Sequence, residues 1–372
     1  MNIESSVLNR YSKSAREREE ALCCPVEYDA QLLKSLPKEI VEKDYGCGDP
    51  SRYILPGETV LDLGSGSGKV CYMAAQLVGD GGCVIGVDMN DDMLSLARKY
   101  QEEMAEKLGS DRVQFHKGHI QDLALDVEDM EQWLEEHPVS DSKGLAALET
   151  WQKKQRMERP LIASDSIDLV ISNCVLNLVS DESKEQLVNE IFRVVKPGGR
   201  IAISDIVSDE DIPEHLKYDE KLWSGCISGA FQEQEIIQMF RDAGFQAVCI
   251  DQWSVDPWKI IEGIEFRSVT ITAVKPEDCE CLDKGHAVIY RGPFSTVYDD
   301  DGHEFPRGER IAVCERTFRF LTEGPCCHSF IGIKPAHEQK AIPWCAPAGK
   351  RRLPSETKGR SYKSESNPSD CC

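Results

Sequence analysis

The sequence predicts an α/β protein, a doubly wound and mostly parallel sheet followed by a small β-rich C-terminal domain. Three observations carry this. The apolar run Val60-Leu61-Asp62-Leu63 passes directly into a glycine turn (Gly64, Gly66, Gly68) and then into a helical stretch over 70–78. About twenty residues past Gly68, a second apolar run ends in Asp88. From Glu58 onward, strand-like and helix-like segments alternate, the pattern of a parallel sheet covered on both faces.

In chain order, residues 1–45 read as a polar, mostly helical arm in which Leu32, Leu33, Leu36 and Ile40 keep helix-face spacing. The first strand is expected over 59–63 and the second over 83–88. A helix over 91–108 places Met93, Leu94, Ala97 and Met104 on one side, with Asn90 or Asp91 as its cap. Strands three, four and five fall at 113–116, 167–172 and 200–206. Residues 127–163 interrupt the alternation; they are rich in charge and read as a helical insertion pinned by Trp133 and Trp151. A helix over 185–195 is stopped by Pro197-Gly198-Gly199. Residues 207–230 form a second insertion, overhanging the carboxyl ends of the strands where such sheets bind ligands. A helix at 234–243, a sixth strand at 245–250 and an alternating edge or antiparallel strand at 266–274 follow. Short strands are expected at 287–290, 294–298 and 310–314, with a turn at Asp299-Asp300-Asp301-Gly302. The expected divisions are the arm (1–45), a ligand-binding domain (46–206), a region completing the sheet (207–282), a C-terminal domain (283–348) and a disordered tail (349–372) rich in Lys, Arg, Ser and Pro.

The formal net charge of −22 repels phosphates and argues against nucleic acid as a partner. No run of about 18 apolar residues predicts a membrane span. Residues 1–20 are polar and charged and lack the apolar stretch of a secretory signal. The expected compartment is the cytoplasm and the expected state a monomer. Sixteen cysteines in a reducing compartment point to soft-metal ligation or redox work rather than structural disulfides. Cys83 and Cys249 lie in apolar strand patterns and are assigned to the core.

Glycines in a strand-to-helix turn let backbone approach a ligand with no side chain in the way. The spacing is G-x-G-x-G, not the dinucleotide G-x-G-x-x-G, and Asp62 closes the strand. A carboxylate there repels a pyrophosphate but suits a ligand carrying an ammonium and a sulfonium. Asp88 is placed to accept two ribose hydroxyls. The loop resembles motif I of the class I S-adenosylmethionine methyltransferases, whose sheet is Rossmann-like. In that fold the end of the fourth strand, here Ser172-Asn173-Cys174-Val175-Leu176-Asn177-Leu178, faces the cofactor's methyl group, and a thiol stands there. The insertion carries Trp223-Ser224-Gly225-Cys226-Ile227-Ser228-Gly229-Ala230, whose glycines suggest a loop folded back over the pocket, facing Cys226 to Cys174. Cys47, in Tyr45-Gly46-Cys47-Gly48, can close over the same pocket. Zinc is the competing reading, but its sites usually show local C-x2-C pairs and need four ligands. These cysteines are widely spread, and Cys279-Glu280-Cys281 is only C-x-C, in an expected linker.

With Val87-Asp88-Met89, Gly118-His119-Ile120, Cys71-Tyr72 and Lys196-Pro197-Gly198-Gly199 added, residues 20–275 resemble the arsenite S-adenosylmethionine methyltransferases, in the form found in microbes and algae. The resemblance implies a cofactor domain, an inserted arsenic-binding region and a C-terminal domain. It implies S-adenosyl-L-methionine binding by Asp62, Gly64, Ser65, Gly66, Gly68, Tyr72, Asp88, Met89 and Asn173, with Ile120 packed on the adenine and Gln121 or Asp122 bonding its edge. It implies that Cys174 and Cys226 hold trivalent arsenic, joined by Cys47, and that an N-terminal cysteine, Cys23 or Cys24, acts in redox with Cys47. The vicinal pairs Cys326-Cys327 and Cys371-Cys372 have only a loose claim on arsenic.

The chemistry fits. Trivalent arsenic is soft and prefers thiolates, so its binding is coupled to thiol ionisation. Its lone pair is the nucleophile, and it has no proton to lose, which agrees with the lack of a His or Glu catalytic motif. Methylation raises arsenic to the pentavalent state. Return draws two electrons from a cysteine pair, which an external thiol system, thioredoxin or glutathione, resets. A methyltransferase acting on a small organic acceptor such as a quinone or sterol leaves Cys174 and Cys226 idle. A non-catalytic thiol-rich arsenic-binding protein makes the cofactor motif superfluous.

Overall fold

In the computed structural model the described residues are 3–16, 26, 28–43, 45–325, 327–337 and 339–358. The chain divides into two compact units, Met1–Pro276 and Glu277–Cys372.

The first unit opens with α1 (Ile3–Arg16), α2 (Ala30–Lys34) and α3 (Lys38–Glu42). The helix-face spacing of Leu36 and Ile40 serves its purpose, since both are buried against the helix that follows the glycine turn. Then come β1 (Thr59–Leu63), α4 (Lys69–Val78), β2 (Cys83–Asp88), α5 (Asp91–Lys99), α6 (Gln101–Leu108), β3 (Val113–Lys117), α7 (Val127–Glu136), α8 (Ser142–Glu158) and β4 (Ile167–Asn173). The unit continues with α9 (Asp181–Val194), β5 (Val195–Ser208), α10 (Glu214–Lys217), α11 (Glu220–Trp223), β6 (Phe231–Gln232), α12 (Glu233–Asp242), β7 (Gln246–Trp253), β8 (Lys259–Ile261) and β9 (Ile264–Val274).

The strands form one sheet in the order β3-β2-β1-β4-β5-β9-β7. The pairings from β3 to β5 are parallel, and β9 is antiparallel to both its neighbours. Alternation in the strands fills two cores, one on each face. Leu61, Leu63 and Val170 enter one, and Val60, Leu169 and Ile171 the other. Helix α9 ends at Val194 and strand five begins at Val195, so Pro197-Gly198-Gly199, expected to stop the helix, lie within the strand. The single helix expected over 91–108 is two, separated at Tyr100, whose hydroxyl donates to Glu39 on α3. Asn90 caps the first of them by accepting from Met93 N at 3.1 Å. The expected insertion is the pair α7 and α8, and Trp133 stacks on Trp151 with ring centroids 5.6 Å apart.

Two expectations fail here. The last strand of the unit, β9, lies inside the sheet, between β5 and β7, so its antiparallel direction is right and its edge position is not. Cys249 is exposed on β7, the edge that β9 leaves open, and its sulfur meets Thr272 Oγ1 at 3.2 Å; Cys83 is only half-buried. An edge strand has one face free of covering helix, so an apolar pattern there does not guarantee burial.

The second unit contains β10 (Leu282–Asp283), β11 (Ala287–Tyr290), β12 (Thr296–Tyr298), β13 (Glu304–Pro306), β14 (Arg310–Ala312), α13 (Glu315–Glu323), β15 (Phe330–Ile333), β16 (Ile342–Pro343) and α14 (Pro354–Lys358). Its core gathers Val288, Tyr290, Phe305, Ile311, Phe318, Leu321 and Phe330. The tail expected from 349 is structured as far as Lys358. Ala312 N donates to Lys350 O at 2.7 Å and Arg352 N to Arg310 O at 2.9 Å, which extends the pairing of β14. Its polar composition is spent on these contacts, and Arg352 is buried against Asp283. Among the described residues no helix is long and apolar enough to cross a membrane.

Candidate active site

The glycine turn after β1 forms one wall of a pocket. Gly64, Gly66 and Ser67 line it beside Asp88, Met89, Asn90, Met93, Ile120 and Gln121; α1 contributes Val7, Leu8 and Tyr11, and the end of β4 contributes Asn173, Cys174 and Val175. Gly66 has φ +51°, and a Cβ built on it would meet nothing within 4 Å, so this backbone faces open space. Asp88 accepts from Gly66 N and Asn90 N, each at 2.8 Å, one on each oxygen. Each oxygen therefore keeps a lone pair for another donor, as a ribose diol requires. Burial raises the Asp88 carboxyl above its ordinary value, and the backbone N–H groups of Asn90, Gly66 and Met89 oppose it. The donor set and the cradle fit S-adenosylmethionine.

Of the expected cofactor residues, Gly64, Gly66, Asp88, Met89, Ile120, Gln121 and Asn173 line this pocket. Four others support it from behind instead. Asp62 is buried and accepts from the Cys71 thiol at 3.2 Å. Ser65 is buried against Gly86. Gly68 caps α4 in the left-handed region and packs against Phe115. Tyr72 is fully buried, with its hydroxyl on Ala97 O at 2.7 Å. The side chains of Asp62 and Tyr72 point back into the sheet–helix layer because side chains alternate across a strand and rotate around a helix. Asp122 pairs with Arg156 of α8, with contacts of 2.8 to 3.2 Å, and does not line the pocket, whereas Gln121 does.

Asn173 holds the arm against the sheet. Its Oδ1 accepts from Cys47 N at 2.8 Å and Gly48 N at 3.1 Å, and its Nδ2 donates to Gly48 O and to Tyr28 Oη. The glycines flanking Cys47 make this possible: a Cβ on Gly46 would stand 2.4 Å from Asn173 Nδ2, and one on Gly48 2.4 Å from Ser204 Oγ. Cys47 is thereby laid beside Cys174, and the two sulfurs are joined as a disulfide. Cys226 closes the group. Its thiol donates to Cys174 O at 3.4 Å, and Tyr11 Oη lies 3.9 Å from its sulfur. Cys174 and Cys226 both have φ +61°, a left-handed backbone rare for residues other than glycine. Such backbone persists only where the surroundings impose it, and it concentrates at functional sites.

The loop bearing Cys226 is held just as closely. Asn177 Nδ2 donates to Ile206 O at 2.7 Å and to Cys226 O at 3.4 Å, and Lys184 Nζ donates to Gly229 O at 2.8 Å. A Cβ on Gly229 would stand 2.0 Å from Asn177 O. Around the sulfurs, Ile206, Ile212, Ile227, Ile264 and Phe266 form an apolar surround.

Two residues were not singled out in the sequence. Asp205, fully buried, accepts from Leu176 N at 2.9 Å and Ile206 N at 2.8 Å, and its carboxylate has an oxygen within 4.8 Å of the sulfurs of Cys47 and Cys174. Burial pushes its carboxyl up to about 7 against the pull of those backbone donors. Its position at the carboxyl end of strand five was the available signal. Tyr11 gave none, since α1 is polar and far away in sequence. Burial, and then the neighbouring Cys226, raise its hydroxyl well above the ordinary tyrosine value, so it stays a donor. Cys23 and Cys24 lie outside the described residues, as do Cys326, Cys371 and Cys372. The disulfide partner of Cys47 in the structure is Cys174, which was expected to act as a free thiolate.

A family profile described as a methyltransferase domain matches residues 54–244, and one described as a domain of unknown function matches 277–362. An arsenite methyltransferase of Aquipseudomonas alcaligenes is 32% identical over 86% of this chain and 88% of its own length. The Homo sapiens arsenite methyltransferase is 30% identical over 83% of this chain and 76% of its own. The crystal structure of an arsenic(III) S-adenosylmethionine methyltransferase from Chlamydomonas reinhardtii superposes with a TM-score of 0.56, at 28% identity, over 87% of this chain and 99% of that one. A glycine-loop pocket with three cysteines at one edge, and relatives of this length and identity, lead to one assignment: the chain belongs to the arsenite methyltransferase family.

Proposed function

We propose that Cys47, Cys174 and Cys226 hold trivalent arsenic as thiolates at the edge of the glycine-loop pocket, and that the arsenic is methylated there. The observation that carries this reading is the meeting of three cysteines, from segments distant in sequence, where the pocket ends. S-adenosylmethionine, when bound, supplies an electrophilic methyl group. Gly64, Gly66 and Asp88 would hold its nucleoside and Ile120 its adenine, with Gln121 at the edge. The cysteine side chains fix the arsenic with its lone pair toward the pocket, which converts an encounter into an aligned displacement. The apolar surround excludes water.

For each thiolate bound, one As–O bond breaks, one As–S bond forms, and the thiol proton leaves with the hydroxide as water. Tyr11, kept protonated, donates to Cys226 sulfur. Arsenic cannot bind while Cys47 and Cys174 are joined, so the site opens only on two-electron reduction of that bond. This calls for an external thiol reductant of the thioredoxin or glutathione class; the reading keeps the reducing cytoplasm and the monomer expected from the sequence. The oxidised pair in turn accounts for two electrons returned to a pentavalent product. Cys23 or Cys24 would pass these electrons to or from Cys47 by thiol exchange.

Valence counting gives the test. Arsenite offers three exchangeable oxygens and can take three thiolates; monomethylated trivalent arsenic can take two. Cys47→Ser should lose activity on arsenite and keep it on the monomethylated species. Cys174→Ser and Cys226→Ser should lose both. The measurement is methyl transfer to each substrate by each variant, with cofactor binding followed in parallel. Equal failure of Cys47→Ser on both substrates, or an active Cys226→Ser, sinks the ligand assignment.

A further inference from the structure

The second unit gathers a group of thiols that the methylation site does not use. Cys281 sits at the entrance to β10, where its carbonyl accepts from Trp344 N at 2.7 Å. The β10–β16 register pairs Leu282 with Pro343, so Cys345 follows one residue after the partner of Cys281. Cys314 is the N-cap of α13; its sulfur receives Thr317 N at 3.5 Å and lies 3.3 Å from Thr317 Oγ1. An ion pair between Lys284 and Glu315, 2.6 Å, ties the start of α13 to the end of β10. The three segments converge. Cys314 and Cys345 both lie near enough to Cys281 to act on it electrostatically. Cys314 is buried, Cys281 half-buried and Cys345 exposed, and all three are free thiols, so the group is open on one side. Burial, and then the neighbouring Cys314, push the Cys281 thiol up to about 11 against the pull of the Arg316 guanidinium, so Cys281 gives up its proton only as a thiophilic ion binds.

We propose that Cys281, Cys314 and Cys345 form a second thiophilic site that takes trivalent arsenic. Three soft sulfurs suit a three-coordinate pyramidal ion, whereas zinc asks for four ligands. A fourth thiol on the segment leading to Cys281, Cys279, is exposed and donates to Glu277 at 3.5 Å. Binding exchanges three As–O bonds for three As–S bonds and releases three waters, with no change in oxidation state. Among the described residues only the Cys47, Cys174 and Asp205 group already has its ligand atoms within 4.8 Å of one another. The sulfurs of the second unit therefore draw together on binding, and Cys345, after a two-residue strand, is the one with room to move. The site would hold arsenic without methylating it.

The test uses the full-length chain with Cys47, Cys174 and Cys226 all replaced by Ser, reduced, incubated with arsenite and desalted. Retained arsenic is measured by elemental analysis, and tryptophan fluorescence is followed during titration. Retention of one arsenic ion per chain more than the same chain carrying Cys281→Ser is expected. Cys345→Ser, an exposed change that leaves the core alone, should weaken retention at least tenfold, and Cys249→Ser should not change it. Quenching on titration should vanish in Trp344→Phe while retention persists. Retention equal with and without Cys281→Ser and Cys345→Ser overturns the proposal. So does zinc bound stoichiometrically in the purified chain that arsenite does not displace. In the chain with Cys47, Cys174 and Cys226 intact, Cys345→Ser should methylate arsenite at the parental rate, which separates this site from the first.

Discussion

Gly46 carries more of the site than its size suggests. A methyl group there would stand 2.4 Å from Asn173 Nδ2, the amide that clamps the Cys47 loop to the end of β4. Gly46→Ala must push either the loop or the amide aside, at a cost of about 1–3 kcal/mol for overpacking. The displaced atom is the backbone that positions Cys47. Methylation of arsenite should therefore fall at least tenfold, while methylation of the monomethylated substrate, for which the proposal requires only Cys174 and Cys226, falls less. Equal losses on both substrates would show that the change acts through general stability. At this scale the sequence was legible where a residue type has few reasons to stand in a place, as with a cysteine between two glycines, or one at the end of a strand. It was silent where a common residue acquires its role from a distant partner. Tyr11 and Asp205 are examples, and so are Ser65 and Tyr72, which were expected at the cofactor and whose side chains face the core.

Elements were read more safely than their ends. Strands one and two fall where the pattern placed them, because buried parallel strands are short apolar runs bounded by glycine or acid. The position of β9 within the sheet was not legible, since alternation reports one-sided burial and not the identity of neighbours. The inserted pair α7–α8 shows what a helical insertion can do for a site it does not enter. Arg156 of α8 binds Asp122 with two nitrogens, next to Gln121 in the pocket wall. Arg156 is more than a third exposed, so Arg156→Ala should cost at most about 1 kcal/mol of stability. It releases Asp122 to compete with Gln121, so the KM for S-adenosylmethionine should shift severalfold with kcat little changed. An unchanged KM would mean that the insertion does not reach the cofactor. The β12–β13 hairpin gives a pH prediction. The Asp299 carboxylate, 2.7 Å from His303 Nδ1, raises the His303 pKa above the ordinary imidazole value. The charged hydrogen bond therefore stabilises the second unit fully below pH of about 6.5, and its contribution, about 1–2 kcal/mol, fades as pH rises through the raised value. Melting at pH 6 and pH 9 should show this loss in the parent and not in His303→Gln; the same loss in both would assign it to other groups.

For the whole molecule, the division at Pro276 separates two kinds of consequence. Every residue of the methylation pocket and all three of its cysteines belong to the first unit, and the second has its own core. Damage to the second unit should thus be visible as instability before it is visible as lost chemistry. The stretch 349–358 is the place to test this, because composition argued that it was disordered and the structure uses it. Lys350 O and Arg352 N complete the open edge of β14, Arg310 Nη1 donates to Thr357 Oγ1 at 2.6 Å, and buried Arg352 pairs with Asp283 at 2.7 Å. Ending the chain after Ala348 removes these partners together and leaves Asp283 and the backbone of β14 to water. Several hydrogen bonds at about 1 kcal/mol each, one of them charged, amount to a few kcal/mol, a large share of what a unit this small possesses. A chain ending after Lys358 keeps them all. Calorimetry should show the second unit melting well below the first in the shorter chain and at its parental temperature in the longer one, while both methylate arsenite at nearly the parental rate when assayed below that transition. Equal melting in the two truncations would mean that 349–358 contributes nothing to the fold. Loss of methylation in the shorter chain, with its first unit still folded, would mean that the second unit takes part in the reaction and that the boundary at Pro276 does not bound the chemistry.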